Sequence, residues 1–166
     1  YYRAPHIFLG FPTRYVDRGW TESSRKLPQL DYRQLRASSN EREGTAMTDG
    51  MFMSSRDGLN FDRSFMEAFI RPGPGMENWH ERAVYFDWGL LQTSPEELSM
   101  YCQEHGRLPT AHLRRYTLRT DGFVSVNAGY SGGELTTRSL VFAGGELDLN
   151  YSTSAVGSVR VEIQDP

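Results

Sequence analysis

The residues of this chain with the most chemistry to offer are acids that stand next to aromatic and basic side chains. Glu81 sits in Trp79-His80-Glu81-Arg82, a carboxylate flanked by a ring for stacking, a titratable neighbour and a cation. Asp87 lies beside Trp88 in an aromatic run, where a charge taken out of water needs a partner. Asp49 follows Thr48 at the head of an apolar stretch. Two carboxylates placed across a bound substrate can work as an acid–base or acid–nucleophile pair if the acid partner stays partly protonated. Glu81, Asp49 and Asp87 are therefore the candidate catalytic residues. Trp79, His80, Arg82, Trp88, His6 and Arg14 are the candidate substrate-binding ones. Each acid also has an architectural alternative: a polar loop for Glu81, a turn or capping carboxylate for Asp49, an Arg-paired buried acid for Asp87. A salt bridge is the alternative for Arg14. Glu97 and Glu104 read as solvated. His6 and His80 lack any HxH, HExxH or CxxC spacing, so no metal site is expected. Neither a phosphate-cradling glycine loop nor Ser-His-Asp logic is evident, and no cofactor is implied.

Those side chains need elements to position them. Over 166 residues, an aromatic content of 13% with 16 Gly and 8 Pro points to turn-rich β structure rather than helix. Met51 to Ser54 alternates like a strand, Asp57-Gly58 is a strong hairpin signal, and Phe61 opens the return. Ile7 to Phe11 reads as a strand buried on both faces, which Thr13 to Val16 would continue. Trp20 to Asn40 is polar, without alternation, and reads as a long loop. Thr45 to Ser55 reads as one strand and Glu67 to Ile70 as an edge strand. A new segment opens at Trp79, and a strand is favoured over a helix for Leu98 to His105. Leu113 to Arg119, Asp121-Gly122 and Phe123 to Ala128 repeat the strand–turn–strand unit. Strands over 134–142, 146–151 and 158–164 follow, with Gly132-Gly133 and Gly144-Gly145 as hairpin turns. The change of texture near residues 118–121 divides the chain into 1–118 and 119–166.

Ala4-Pro5-His6-Ile7-Phe8-Leu9-Gly10-Phe11 resembles the inner-strand pattern of the five-bladed β-propeller glycosidases of arabinanase, levansucrase and invertase type. Arg3 stands where such strands carry the general-acid Glu. Ser55-Arg56-Asp57-Gly58-Leu59-Asn60-Phe61 resembles the Ser-x-Asp-Gly-x-x-(Trp/Phe) outer-blade turn of those propellers and, more loosely, the sialidase Asp box, where it is structural. Arg115 to Asp165 resembles the β-sandwich that follows the propeller. The resemblance implies an all-β fold, partial β-propeller blades over 1–118 followed by an incomplete antiparallel β-sandwich from 119. It also implies a carbohydrate-active glycoside hydrolase whose nucleophile-bearing first blade would lie upstream of Tyr1. A secreted or periplasmic location is the matching expectation, although no signal peptide is visible. Two other readings stand beside it: a non-catalytic carbohydrate-binding module, and an assembly protein whose open sheet edges pair with another chain.

Charge narrows the partners. A net charge of −3 implies no nucleic-acid polyelectrolyte, and no stretch is long and apolar enough for a membrane helix. The expected partner is an oligo- or polysaccharide, together with the remainder of the propeller or another chain. Lys26 is the one lysine, so arginine carries the basic chemistry, with a fork suited to carboxylates and sugar hydroxyls. Cys102 is alone and reads as a buried small apolar residue.

Overall fold

A long antiparallel ribbon organises the first half of the chain. The computed structural model describes residues 2–4, 7–87 and 89–165, with nothing said of the side chains of 2–4. Strand β1 (Tyr2–Ala4) pairs with β2 (Ile7–Gly10), and β3 (Thr13–Val16) runs on from β2. Strands β4 (Met47–Gly50) and β5 (Met53–Ser55) return alongside them. Phe8 faces Ser55 and Gly10 faces Met53; Thr13 faces Gly50 and Val16 faces Met47. Both ladders keep one register, so Thr45 to Ser55 is two strands of a single ribbon rather than one. In the gap Met51 donates its N–H to the Pro12 carbonyl at 2.8 Å. Pro12 has no N–H to return, and the regular ladder lapses there.

The Asp57-Gly58 turn forms as its sequence indicates. It joins β5 to β6 (Phe61–Asp62), giving the sheet order β1-β2-β5-β6. Gly58 has φ +75°, and a Cβ there would lie 3.6 Å from the Phe8 ring. Phe8 therefore covers this turn.

The polar stretch expected to be a loop is instead helical. It contains α1 (Glu22–Arg25) and α2 (Leu30–Ala37), followed by α3 (Glu41–Thr45). Local polar bonds nucleate these helices. Thr21 and Ser24 form a reciprocal capping box, and the Asn40 side chain accepts the Arg42 N–H. The anchor is Arg33, fully buried, whose guanidinium donates to the carbonyls of Pro28, Ser24 and Leu27 at 3.0, 2.7 and 2.8 Å. An arginine in place of an apolar stripe leaves no hydrophobic period to read.

A second antiparallel sheet is built on β9 (Glu97–Glu104), which confirms strand over helix for that run. One edge pairs along its whole length with β10 (His112–Arg119). Its other edge pairs with β7 (Tyr85–Phe86) and β8 (Leu91–Ser94). Leu98, Met100 and Cys102 alternate into the interior. Between the two halves lies a phenylalanine cluster: Phe11, Phe52, Phe69, Phe86 and Phe123, with ring centroids 5.3–6.3 Å apart. Phe86 reaches it by lying on Gly50, where a Cβ would be 2.1 Å from the ring.

Strand outweighs helix, 27% to 13%, so the chain is β-rich; among the described residues the sheets are antiparallel and none closes into a barrel. Two expected elements differ. Glu67 to Ile70 contributes one bridge, Ile70 to Gly50, and not a strand. Beyond β10 the Asp121-Gly122 turn forms, with the Gly122 N–H on the Arg119 carbonyl at 3.0 Å. Residues 123–164 then carry no strand; Val124, Val126, Leu147, Leu149, Tyr151, Val159, Val161 and Ile163 are exposed. Alternation specifies a face, but a strand exists only with a ladder to join. Phe123 is drawn into the phenylalanine cluster, which takes the chain out of hairpin register with β10.

Candidate functional site

Where β7 crosses β9, Tyr85 lies directly opposite Gln103. Both are exposed, and each lines two adjoining depressions in the surface of the second sheet. One, of about 120 Å³, is completed by Glu81, Ala83, Gly106 and Arg107. The other, of about 170 Å³, is completed by Phe86, Asp87 and Leu113. Together they form a shallow groove with Glu81 and Arg107 at one end, Asp87 at the other, and Tyr85 and Gln103 between.

Glu81 is held by its surroundings more than by its own element. It ends α4 (Asn78–Glu81), a single helical turn where a strand start was expected. Arg82 then takes φ +54°, and the chain joins the first ribbon: the Thr48 N–H donates to the Arg82 carbonyl at 2.9 Å and the Val84 N–H to that of Thr48 at 3.2 Å. Arg36 of α2 donates to Glu81 Oε2 at 2.5 Å and, from its other terminal nitrogen, to Glu43 Oε2 at 2.5 Å. The second oxygen, Oε1, is buried and accepts no hydrogen bond from the described residues. Its nearest ionisable neighbours are His80 Nε2 at 3.7 Å and Arg107 at 3.8 Å, both beyond hydrogen-bonding reach.

His80 backs this carboxylate. Its ring stacks on Tyr32, centroids 5.0 Å apart, and its Nδ1 is buried without a partner. Burial holds the imidazole below its ordinary pKa, and Arg82, Arg36 and Arg107 add to this against the pull of Glu81. His80 is thus a neutral wall behind Glu81, not a groove residue.

The other candidates fall elsewhere. Asp49 is buried and clamped by Arg14, its cross-strand partner: Nε to Oδ1 is 2.9 Å and Nη2 to Oδ2 2.6 Å. Neither lines the groove. Arg82 is buried and commits its guanidinium to the carbonyls of Ala46, His80 and Glu43. Trp79 donates its indole N–H to the Gly73 carbonyl at 2.9 Å, pinning the turn before α4. His6 and Trp88 lie outside the described residues. Asp87 flanks β7, its N–H bonded to the Tyr101 carbonyl at 2.9 Å.

Glu104, expected to be solvated, is buried. Burial pushes its carboxyl up, but hydrogen bonds from the Tyr116 hydroxyl and Arg114, with the Arg114 charge, outweigh that and leave it lowered. It lies opposite His112 on β9, facing its partners on β10, and fastens the sheet. Cys102 is buried, its thiol pushed up to about 12 first by burial and then by the nearby Glu104 and Asp87 charges, so it is no nucleophile. Among the described residues no cluster of three or more His, Cys, Asp or Glu could hold a metal ion.

Sequence reasoning missed Tyr85, Gln103, Arg107 and Arg36. The available signal was Val84-Tyr85: Val84 is buried, and alternation then turns the phenol outward. Nothing in the sequence joins Gln103 or Arg36 to Glu81. Comparison with known proteins adds no relative: no family model, curated protein or solved structure matches the chain.

Proposed function

We propose that this chain is the saccharide-binding part of a glycoside hydrolase-like protein, of the propeller-and-sandwich kind its short motifs resemble. The observation that carries the reading is the Glu81 carboxylate lining a groove that exposes a phenol and an amide, with its buried Oε1 accepting no hydrogen bond from the described residues. Tyr85 offers a face for a sugar ring, and Gln103 offers both a donor and an acceptor. The Ser55 to Phe61 turn, fully bonded as an architectural fastener, is consistent with the same kinship.

On this reading Glu81 and Asp87 face one ligand from opposite ends, Glu81 as the candidate acid and Asp87 as the candidate base or nucleophile. Asp49, neutralised by Arg14, serves the ribbon instead. A non-catalytic module is the second reading, favoured because Glu81 Oε2 is already engaged by Arg36, which ties the carboxylate to α2. Glycan binding and hydrolysis measured together on wild type, Glu81→Gln, Asp87→Asn and Tyr85→Ala decide between them. Binding lost in Tyr85→Ala, with turnover lost in the two carboxylate variants, supports the hydrolase. Binding with no turnover in any of them supports the module. No binding to any glycan by the folded wild type sinks both.

A further inference from the structure

We propose that this chain pairs with a second copy of itself along strand β10, joining the two β9-centred sheets edge to edge across a two-fold axis. The Thr120 N–H donates to the Glu96 carbonyl at 2.8 Å, in the register that sets Arg119 opposite Glu97. Antiparallel pairs alternate, so His112, Arg114, Tyr116 and Leu118 exchange backbone bonds with β9, while Leu113, Arg115, Thr117 and Arg119 point theirs outward. On the far side of β9 the Asp87 N–H meets the Tyr101 carbonyl, which fixes the same alternation independently. Among the described residues nothing bonds to the outward N–H and carbonyl groups of Leu113, Arg115 and Thr117.

An open edge of this length invites another strand, and the usual guards are missing. Strand β10 keeps unbroken register with β9, carries no proline, and exposes six of its eight residues. Two of its arginines are drawn back over β9 rather than out over the edge, Arg114 to Glu104 and Arg115 to Ser99 and Glu97. Tyr116 and Leu118 lie on the face that β9 buries, opposite Met100 and Leu98, yet each is only half-buried, so that face continues past β10. The order of side chains along β10 selects its own copy as the partner. Centred on Tyr116, two antiparallel copies place Arg115 opposite Thr117, Arg119 opposite Leu113 and Arg114 opposite Leu118, with Tyr116 against Tyr116. No arginine then faces an arginine. Sliding the pair to the next allowed register sets Arg115 against Arg115 in one direction and against Arg119 in the other, and like charges directly across a seam are destabilising.

Sedimentation equilibrium of the full chain, from about 1 µM to about 500 µM, tests this. A single strand seam is smaller than a standard interface, so a dimer with a dissociation constant on the order of 10 µM is expected. Thr117→Pro removes only an outward N–H, which an edge strand tolerates, so the variant stays folded by circular dichroism and loses the dimer. Thr117→Arg, which faces Arg115 across the seam, weakens the dimer about tenfold, and Thr117→Glu strengthens it by a similar factor. Under mild oxidation Tyr116→Cys forms a disulfide-linked dimer and Leu118→Cys does not, because only the central position meets its own copy. A wild type that stays monomeric over that range overturns the proposal. So does a dimer that survives in folded Thr117→Pro. A monomer whose Leu113, Arg115 and Thr117 amides resist hydrogen exchange overturns it as well, since the chain's own 123–164 segment then holds the edge.

Discussion

Asp57 shows what an acid does when the backbone, rather than a ligand, claims its oxygens. Its carboxylate accepts the Asn60 N–H at 2.7 Å, the Asn60 amide at 2.7 Å and the Leu59 N–H at 2.8 Å, with the Ser55 hydroxyl at 2.9 Å. These bonds hold its pKa well below the ordinary carboxylate range, the Asn60 backbone contributing most. A group lowered on folding stabilises fully above its unfolded pKa and loses that contribution as pH falls through the folded value. Asp57→Asn is therefore expected to be less stable at neutral pH and to show a flatter acid limb in urea midpoints; an acid limb as steep as in wild type would refute this. His80 is lowered as well, chiefly by burial. Its unfolded form takes up a proton near pH ~6.5, which the folded form refuses until lower pH. Stability from this residue is complete above that pH and declines below it, and His80→Phe should remove that decline in the same assay.

Among the elements, the seams between helices and strands carry the sharpest constraints. Gly50 sits beneath Phe86, so Gly50→Ala forces the ring out of the phenylalanine cluster, with an expected cost of about 1–3 kcal/mol from overpacking. Denaturant melts of the variant check the size, and a neutral result would mean Phe86 moves freely. The helices hang on Arg33. In Arg33→Met the aliphatic volume is largely kept, but the carbonyls of Ser24, Leu27 and Pro28 each lose a charged donor. A loss of about 2 kcal/mol or more is expected, with helical signal reduced in circular dichroism. Because Arg36 on the same helix clamps Glu81, loosening α2 should also weaken whatever the groove binds.

For the whole molecule, the phenylalanine cluster joins the two sheets, while residues 123–164 lie outside any ladder. Phe52 is buried and touches Phe11, Phe65, Phe69 and Phe123, so Phe52→Ala is expected to cost about 3–5 kcal/mol. Limited proteolysis of the intact chain should cut first within 123–164, where backbone lacks sheet partners, and later within 7–119. First cuts in β9 would contradict this. The exposed alternating side chains Val159, Val161 and Ile163 are written for a sheet face. Under the propeller-and-sandwich proposal that face is covered by further strands.

What the sequence by itself determined was local. Asp57-Gly58 and Asp121-Gly122 make their turns, and β9 follows its alternation into a buried strand, because each depends on neighbours a few residues away. The β-rich class was legible for the same reason. Tertiary structure decided everything that depends on residues far apart. It turned a polar loop into helices through the buried Arg33, locked Asp49 to Arg14 by a register shared across the ribbon, and buried Glu104 against β10. It also brought Tyr85 opposite Gln103 and set Arg36 and Arg107 on either side of Glu81. Of the acids singled out by their neighbours, Glu81 and Asp87 share a groove and Asp49 does not. That sorting rests on which side chains the fold brings to one surface, a quantity no stretch of sequence contains.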